Sequence, residues 1–351
     1  MARLKSKGGA AKKRSRKKLL LILLPILVIV GLAGGFFLNQ MLSTYEEPTD
    51  SLLGVGKSDV MPKPESGTPA DYTPAENAAI ALYVLQNTEH YRTEKVGKVT
   101  GKVGFISTDQ EVKNQRIVNG SEIFTQSISM SSMVQVGEQQ YVDNGIYLLK
   151  IADKVNSVDD PVWNDQITAL SPDAHEKRYG AVQDGLSNYI ISQDTILSSE
   201  YLGESDGNYT FSFELDPDES SAYYRREVKT MSGSEKIPLF HSVKVKITIN
   251  EEWQPQQVEV EENYDVAIPV VGTANCTGVL VEDFLDYGVE TPIPNRDAFV
   301  NYIENEYDPE NLSEMQDAGE TDMMSYLSKV FDTDENGKAT LAIDISLNGG
   351  A

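Results

Sequence analysis

Residues 19–38, LLLILLPILVIVGLAGGFFL, run for twenty positions without a charge. A helix of that length spans about 30 Å, the thickness of a bilayer's hydrocarbon core. Nine Lys and Arg residues, from Arg3 to Lys18, precede the run with no acid among them. Basic flanks stay cytoplasmic, so the pattern predicts a single-pass helix with the N-terminus inside and everything after about Asn39 outside. Leu19 and Leu38 mark its ends, Pro25 is a kink position, and Gly31 and Gly35 give the small-residue spacing found in helix pairs. The competing reading is a cleaved signal peptide. The run exceeds the usual apolar core of such a leader, no A-x-A site follows, and no Cys stands at its end to carry a lipid. An uncleaved anchor is therefore the expectation.

What remains must fold in a different solvent. The whole chain of 351 residues carries −24, but setting aside the nine basic residues before the run leaves 21 Lys and Arg against 54 Asp and Glu, about −33. Such acidity argues against a nucleic-acid partner and against an anionic membrane surface on that side. The one cysteine, Cys276, rules out an internal disulfide, so an extracytoplasmic core would be held by packing alone. It lies in a strand-like segment and reads as a small buried hydrophobe. Four N-x-S/T triplets begin at Asn119, Asn208, Asn275 and Asn311, and they matter only in a eukaryotic secretory host.

Residues 39–72 contain four prolines among Ser, Thr, Gly and acids and read as a flexible stalk. Order begins at Thr73-Pro74-Ala75-Glu76, a capping box with proline at the first helical position, predicting a helix to about Tyr91. The period then changes to two. Val99, Val103 and Phe105 alternate with polar residues, as do Phe124, Ile128 and Met130. Asp143-Asn144-Gly145 signals a hairpin into residues 146–151. The clearest strand is residues 208–215, with Tyr209, Phe211, Phe213 and Leu215 on one side. Val243 to Ile249, Val258 to Tyr264 and residues 275–285 repeat the pattern. One wet and one dry face is the mark of an antiparallel sheet covered on one side. Ser171-Pro172-Asp173, Asp216-Pro217-Asp218 and Asn295-Arg296-Asp297 open helical inserts. The expected class is α+β: a transmembrane helix, then a curved antiparallel sheet with an N-terminal helix and helical inserts. The expected segments are 1–18 cytoplasmic, 19–38 membrane, 39–72 stalk, 73–303 folded domain, and 304–351 an acidic linker with a helix–strand appendage.

This order of elements, closing on the aromatic strand Phe284-Leu285-Asp286-Tyr287, resembles the lipoprotein-carrier fold over about residues 73–303. That family includes the periplasmic lipoprotein chaperone and mycobacterial lipoproteins that bind glycolipids. Segments such as residues 185–191 also resemble membrane-anchored surface proteins of Gram-positive bacteria. The resemblance implies an unclosed barrel around an apolar cavity for acyl chains. Phe105, Phe124, Ile128, Tyr209, Phe211 and Phe213 are the candidate lining. A diffusing carrier would have lost the anchor, so its retention points to a stationary receiver, sensor or scaffold.

Chemistry-bearing motifs are scarce. His90, His175 and His241 fall in separate elements without zinc-ligand spacing. No nucleophile elbow, phosphate loop or dinucleotide fingerprint occurs. Asp332, Asp334 and Asn336, with Gly337, match the opening of a calcium loop, but its twelfth position is Ile343. A turn at Asn336-Gly337 is the preferred reading, with no metal and no cofactor expected. The functional expectation is a tethered binding protein, not an enzyme, holding a lipid, a lipid-linked polymer or a lipoprotein segment. The alternative is an envelope sensor or assembly scaffold acting through protein contacts.

Overall fold

The long alternating segments pair into one antiparallel sheet of eleven strands. In the computed structural model the described residues are 48, 52, 55–103, 106–131, 135–179, 185–232, 234, 236–268, 272–313, 331–333 and 339–341. All belong to one unit, Tyr45–Ala351. The strands are β1 (His90–Val103), β2 (Ile106–Asn119), β3 (Glu122–Met130), β4 (Gln135–Asp143), β5 (Ile146–Val155) and β6 (Pro161–Leu170). They continue as β7 (Ile196–Ser205), β8 (Asn208–Leu215), β9 (Leu239–Asn250), β10 (Pro255–Ile268) and β11 (Gly272–Leu285). Their order is β6-β5-β4-β3-β2-β1-β11-β10-β9-β8-β7. Two meanders thus meet where β1 pairs with β11, and β6 and β7 are the open edges. A separate pair, β12 (Phe331–Thr333) and β13 (Ala339–Leu341), follows.

The helices are α1 (Pro74–Gln86), α2 (Pro172–Tyr179), α3 (Pro217–Ser220), α4 (Tyr224–Ser232) and α5 (Arg296–Asn305). The expected α+β class is therefore corrected to a predominantly antiparallel-sheet protein with helices as covers. Two things overturn it. The capped inserts stop after four to ten residues, and three segments that alternate weakly, β2, β6 and β7, are strands. The predicted membrane helix lies outside the described residues, and among those residues no helix is long and apolar enough to cross a membrane.

Local chemistry explains the elements. Thr73 caps α1 as expected: Glu76 N–H donates to its hydroxyl at 3.3 Å, and Thr73 N–H donates to the Glu76 carboxylate at 2.8 Å. The helix ends at Gln86, short of Tyr91. The Asn87 amide and Thr88 hydroxyl donate to the carbonyls of Tyr83 and Val84, each at 2.8 Å, and Tyr91 joins β1. Asn144 and Gly145 turn β4 into β5 with φ of 48° and 79°, as a two-residue hairpin requires.

The sheet carries three apolar clusters, two on its inner face, one of them where α2 packs Ala174 and Tyr179 on Leu149 and Leu170, and one on its outer face. On the inner face α1 and residues 186–191 cover the apolar side of β8–β11. On the outer face α5 covers Ile117, Phe124, Tyr141, Leu148 and Ala169 of β2–β6, with Phe299 at the centre. The Phe299 ring stacks on Tyr141 at 5.1 Å and lies 6.4 Å from Phe124. Residues 304–313, expected as linker, return along β6: Leu312 packs into this outer-face core and Ser313 N–H donates to Ala169 O at 2.9 Å.

Part of the sequence read as stalk also lies on the domain. Asp59 N–H donates to Ile191 O at 3.0 Å, Met61 N–H to Ala79 O at 3.1 Å, and Tyr72 meets Trp253 edge-on at 5.8 Å. Trp253 in turn donates to the buried Asn77 side chain at 2.7 Å.

Because α5 covers the outer face of the sheet, emptying its anchor is costly. Phe299→Ala is expected to destabilise the domain by about 3–5 kcal/mol, the usual range for a buried aromatic. A urea midpoint equal to wild type would refute this placement of the outer-face core.

Candidate functional site

Side chains alternate across a strand, so the register settles which predicted site residues can meet. Tyr209, Phe211 and Phe213 of β8 share the inner face, all buried, with Phe211 stacked on Tyr201 at 5.2 Å. Phe124 and Ile128 of β3 point to the outer face and are fully buried there. Phe105 lies outside the described residues, as do Leu19, Pro25, Gly31, Gly35 and Leu38 of the expected anchor. Asp332 is in β12, while Asp334 and Asn336 also fall outside the described residues. Among the described residues no group of three His, Cys, Asp or Glu is placed to hold a metal. Cys276 is buried on the inner face, and burial pushes its thiol up to about 12, which leaves it unreactive.

An opening lies elsewhere, over β1–β4 of the inner face. It is a cavity of about 110 Å³. Its floor comes from Thr93 and Lys95 of β1, Asn114 and Arg116 of β2, Thr125 and Ser127 of β3, and Gln140 of β4, with Ile123, Val142 and Tyr147 beside them. The strap at 185–188 and His175 and Tyr179 of α2 form its walls, with Glu282 of β11 and Glu227 of α4 at its side. The registers place Thr93 opposite Arg116, Arg116 opposite Thr125, and Thr125 opposite Gln140. These are inner-face positions of the same kind that carry Val, Ile and Phe in β8–β10. The inner face is thus apolar over β8–β11, polar where Asn114, Arg116, Thr125, Ser127 and Gln140 meet, and apolar again at Leu149 and Leu170 under α2.

Two of its polar atoms lack partners. Among the described residues, Arg116 Nε and Asn114 Oδ1 are buried without a hydrogen bond. Such groups ordinarily find protein, water or ligand. The other cation on the floor is engaged: Lys95 Nζ pairs with Glu282 at 2.8 Å and donates to Asn188 Oδ1 at 3.0 Å. Burial holds His175 down near 4, so its ring is neutral at pH 7.

Buried polar contacts tie the roof to the sheet. Tyr179 donates to Glu138 at 2.7 Å, Arg178 Nε donates to the Tyr179 hydroxyl at 2.9 Å, and Arg178 also pairs with Glu138, fixing α2 over β4. Tyr189 of the strap donates to Glu262 of β10, which lies flat across Gly278. A Cβ at position 278 would stand 2.7 Å from the Glu262 side chain, so only glycine leaves it room. The other carboxyl oxygen of Glu262 has no partner.

The cavity residues were missed at the level of sequence because β2 reads as a polar loop. Only the alternation of Val112, Asn114, Arg116 and Val118 with its neighbours marks it as a strand.

Glu262 also sets a pH dependence. Burial raises its carboxyl from the usual 4.5 to about 7, while the Tyr189 hydrogen bond and the Lys95 charge act the other way. Below about 4.5 both folded and unfolded states hold the proton and the shift costs nothing. As pH rises from about 4.5 to about 7 the unfolded state releases its proton first, so stability falls, levelling off above 7. At 1.36 kcal/mol per unit the decline is ~3 kcal/mol. Glu262→Gln is expected to flatten it, measured as urea unfolding between pH 4.5 and 8. A decline of equal size in the variant would refute the assignment.

No protein-family model matches the chain, and no curated protein matches it in sequence. Among solved structures it is similar to a domain assigned as an outer membrane lipoprotein-sorting protein from Vibrio parahaemolyticus, at 9% identity and a TM-score of 0.23. That match covers 61% of this chain and 92% of the other. It is also similar to a DUF1329 family protein from Desulfovibrio piger, at 11% identity and a TM-score of 0.23, covering 66% of this chain and 95% of the other.

Proposed function

We propose that this chain is a non-catalytic binding protein of the cell envelope, taking the polar end of a lipid or lipoprotein ligand into the inner-face cavity. The observation that carries the reading is the cavity with its two unpartnered polar atoms, Arg116 Nε and Asn114 Oδ1. A space of about 110 Å³ is below the few hundred of a pocket that engulfs a whole small molecule. The apolar β8–β11 part of the same face is filled by the chain's own α1 and strap. The cavity therefore suits a headgroup-sized fragment, with the rest of the ligand outside. The lipid class comes from the family resemblance of the sequence, and the tethered, extracytoplasmic placement from the basic flank and the apolar run at 19–38.

A second reading, docking to another envelope protein, is favoured by the β7 edge, where Leu197, Tyr201 and Leu202 are exposed beside an unpaired strand. Native mass spectrometry of the full chain, extracted from its membrane in mild detergent, separates the two. The first reading expects a small-molecule adduct that survives purification. A ligand-free chain that crosslinks to a protein through residues introduced on β7 would replace it with the second.

A further inference from the structure

Arg116 is the cation of the cavity floor that has neither ion pair nor Nε hydrogen bond among the described residues. The chain around it is strongly acidic, so a guanidinium without a carboxylate is unusual here. Leaving such a group half-buried and unpaired is unfavourable unless something else supplies the negative charge. Of the two carboxylates at the cavity's side, Glu282 is neutralised by Lys95 and Glu227 is engaged within the protein.

The neutral groups beside Arg116 can each donate as well as accept. The Thr125 and Ser127 hydroxyls, the Gln140 amide and the Tyr147 hydroxyl make no hydrogen bond to other described residues, and all face the cavity. Asn188 accepts from Lys95 through its oxygen and its side chain is also hydrogen-bonded to Tyr224, so it belongs to the wall and not to the groups open to a ligand. A forked cation beside neutral groups able to donate suits an oxyanion with acceptors on several sides, as a tetrahedral phosphate has. The one orphaned acceptor, Asn114 Oδ1, is two residues along β2 on the same face and needs a donor from the ligand.

We propose that this cavity binds a phosphorylated polyol, with the phosphate on Arg116 and the neighbouring donors and a hydroxyl on Asn114. The proposal rests on the binding reading above and names its ligand chemistry. The same group occurs free and as the headgroup of a glycerophospholipid.

The test is calorimetric titration of the full chain in dodecyl maltoside. The probes are glycerol 3-phosphate and dihexanoyl phosphatidylglycerol, with glycerol and acetate as controls. At least one phosphate probe is expected to bind, and the arm that binds names the source, soluble or lipid. Arg116→Gln is expected to weaken that binding about tenfold to a hundredfold, the worth of a charged hydrogen bond. Where thermal melting shows that Arg116→Gln does not fold, Thr125→Val carries the test, with an expected loss of about threefold to tenfold. Binding unchanged in the folded variant, or acetate binding as well as the phosphate probes, overturns the proposal. A native adduct without binding of either phosphate probe overturns this inference and leaves the binding reading standing. Absence of both removes the two together.

Discussion

The pairing of β1 with β11 is the contact on which the rest of the molecule depends. Arg92 lies opposite Leu285 and Lys102 opposite Asn275, so the seam joins segments far apart in sequence. Every other ladder in the large sheet is between strands consecutive in the chain. The two meanders could each form locally, but only the seam makes them one sheet, and its loop-closure entropy must be met before its contacts reward it. Its inner face carries a direct cross-strand pair, Lys95 opposite Glu282. Glycines sit beside it. At Gly97 a Cβ would stand 2.5 Å from Leu280 Cδ2, and at Gly278 the space is taken by Glu262. The strands therefore approach closely where the two halves meet.

A consequence of that topology is the strap. A chain that has built outward from β1 to β6 must cross the whole sheet to begin β7 at the far edge. The crossing runs over the inner face through α2 and residues 185–195. Apolar side chains serve it on one half, where Leu186, Tyr189 and Ile191 join the core. On the other half Ala174 and Tyr179 of α2 pack on Leu149 and Leu170, and polar anchors add to this: Arg178 and Tyr179 on Glu138, and Asn188 on Lys95. Buried charges held in this way specify a position more than they add stability. They set α2 and the strap as the roof of a space that neither fills.

Much of the fold was legible in the sequence where burial is one-sided. Tyr209, Phe211, Phe213 and Leu215 announce β8, and the Thr73–Glu76 box announces α1, because each obeys a local rule. The site was not legible, for the same physical reason. β2 carries Asn114 and Arg116 on its inner face and Ile117 on its outer face, so the usual sense of alternation is inverted there. Period-two reasoning put Phe124 and Ile128 in one cavity with the β8 aromatics. Both are in fact on the opposite face, with Phe124 under α5. Hydrophobic pattern tells which residues are buried, but not against which of two covers.

That inversion bears on what the molecule does. The inner surface of the sheet is apolar over β8–β11 and again under α2, with a polar patch at Asn114, Arg116, Thr125 and Ser127 between them. The β8–β11 part is closed by the chain itself, with α1, Trp253 and the strap in contact with Val, Ile and Phe positions. The polar patch is spanned and not filled, and it keeps an unpaired guanidinium beside hydroxyls and amides. If stability alone governed these positions, an apolar set at Asn114, Arg116, Thr125 and Ser127 would pack as β8–β10 do, at no cost in orphaned polar atoms. Retaining polar groups under a roof fixed by the Glu138 and Glu262 contacts is what a small hydrophilic ligand requires, and packing by itself does not account for it.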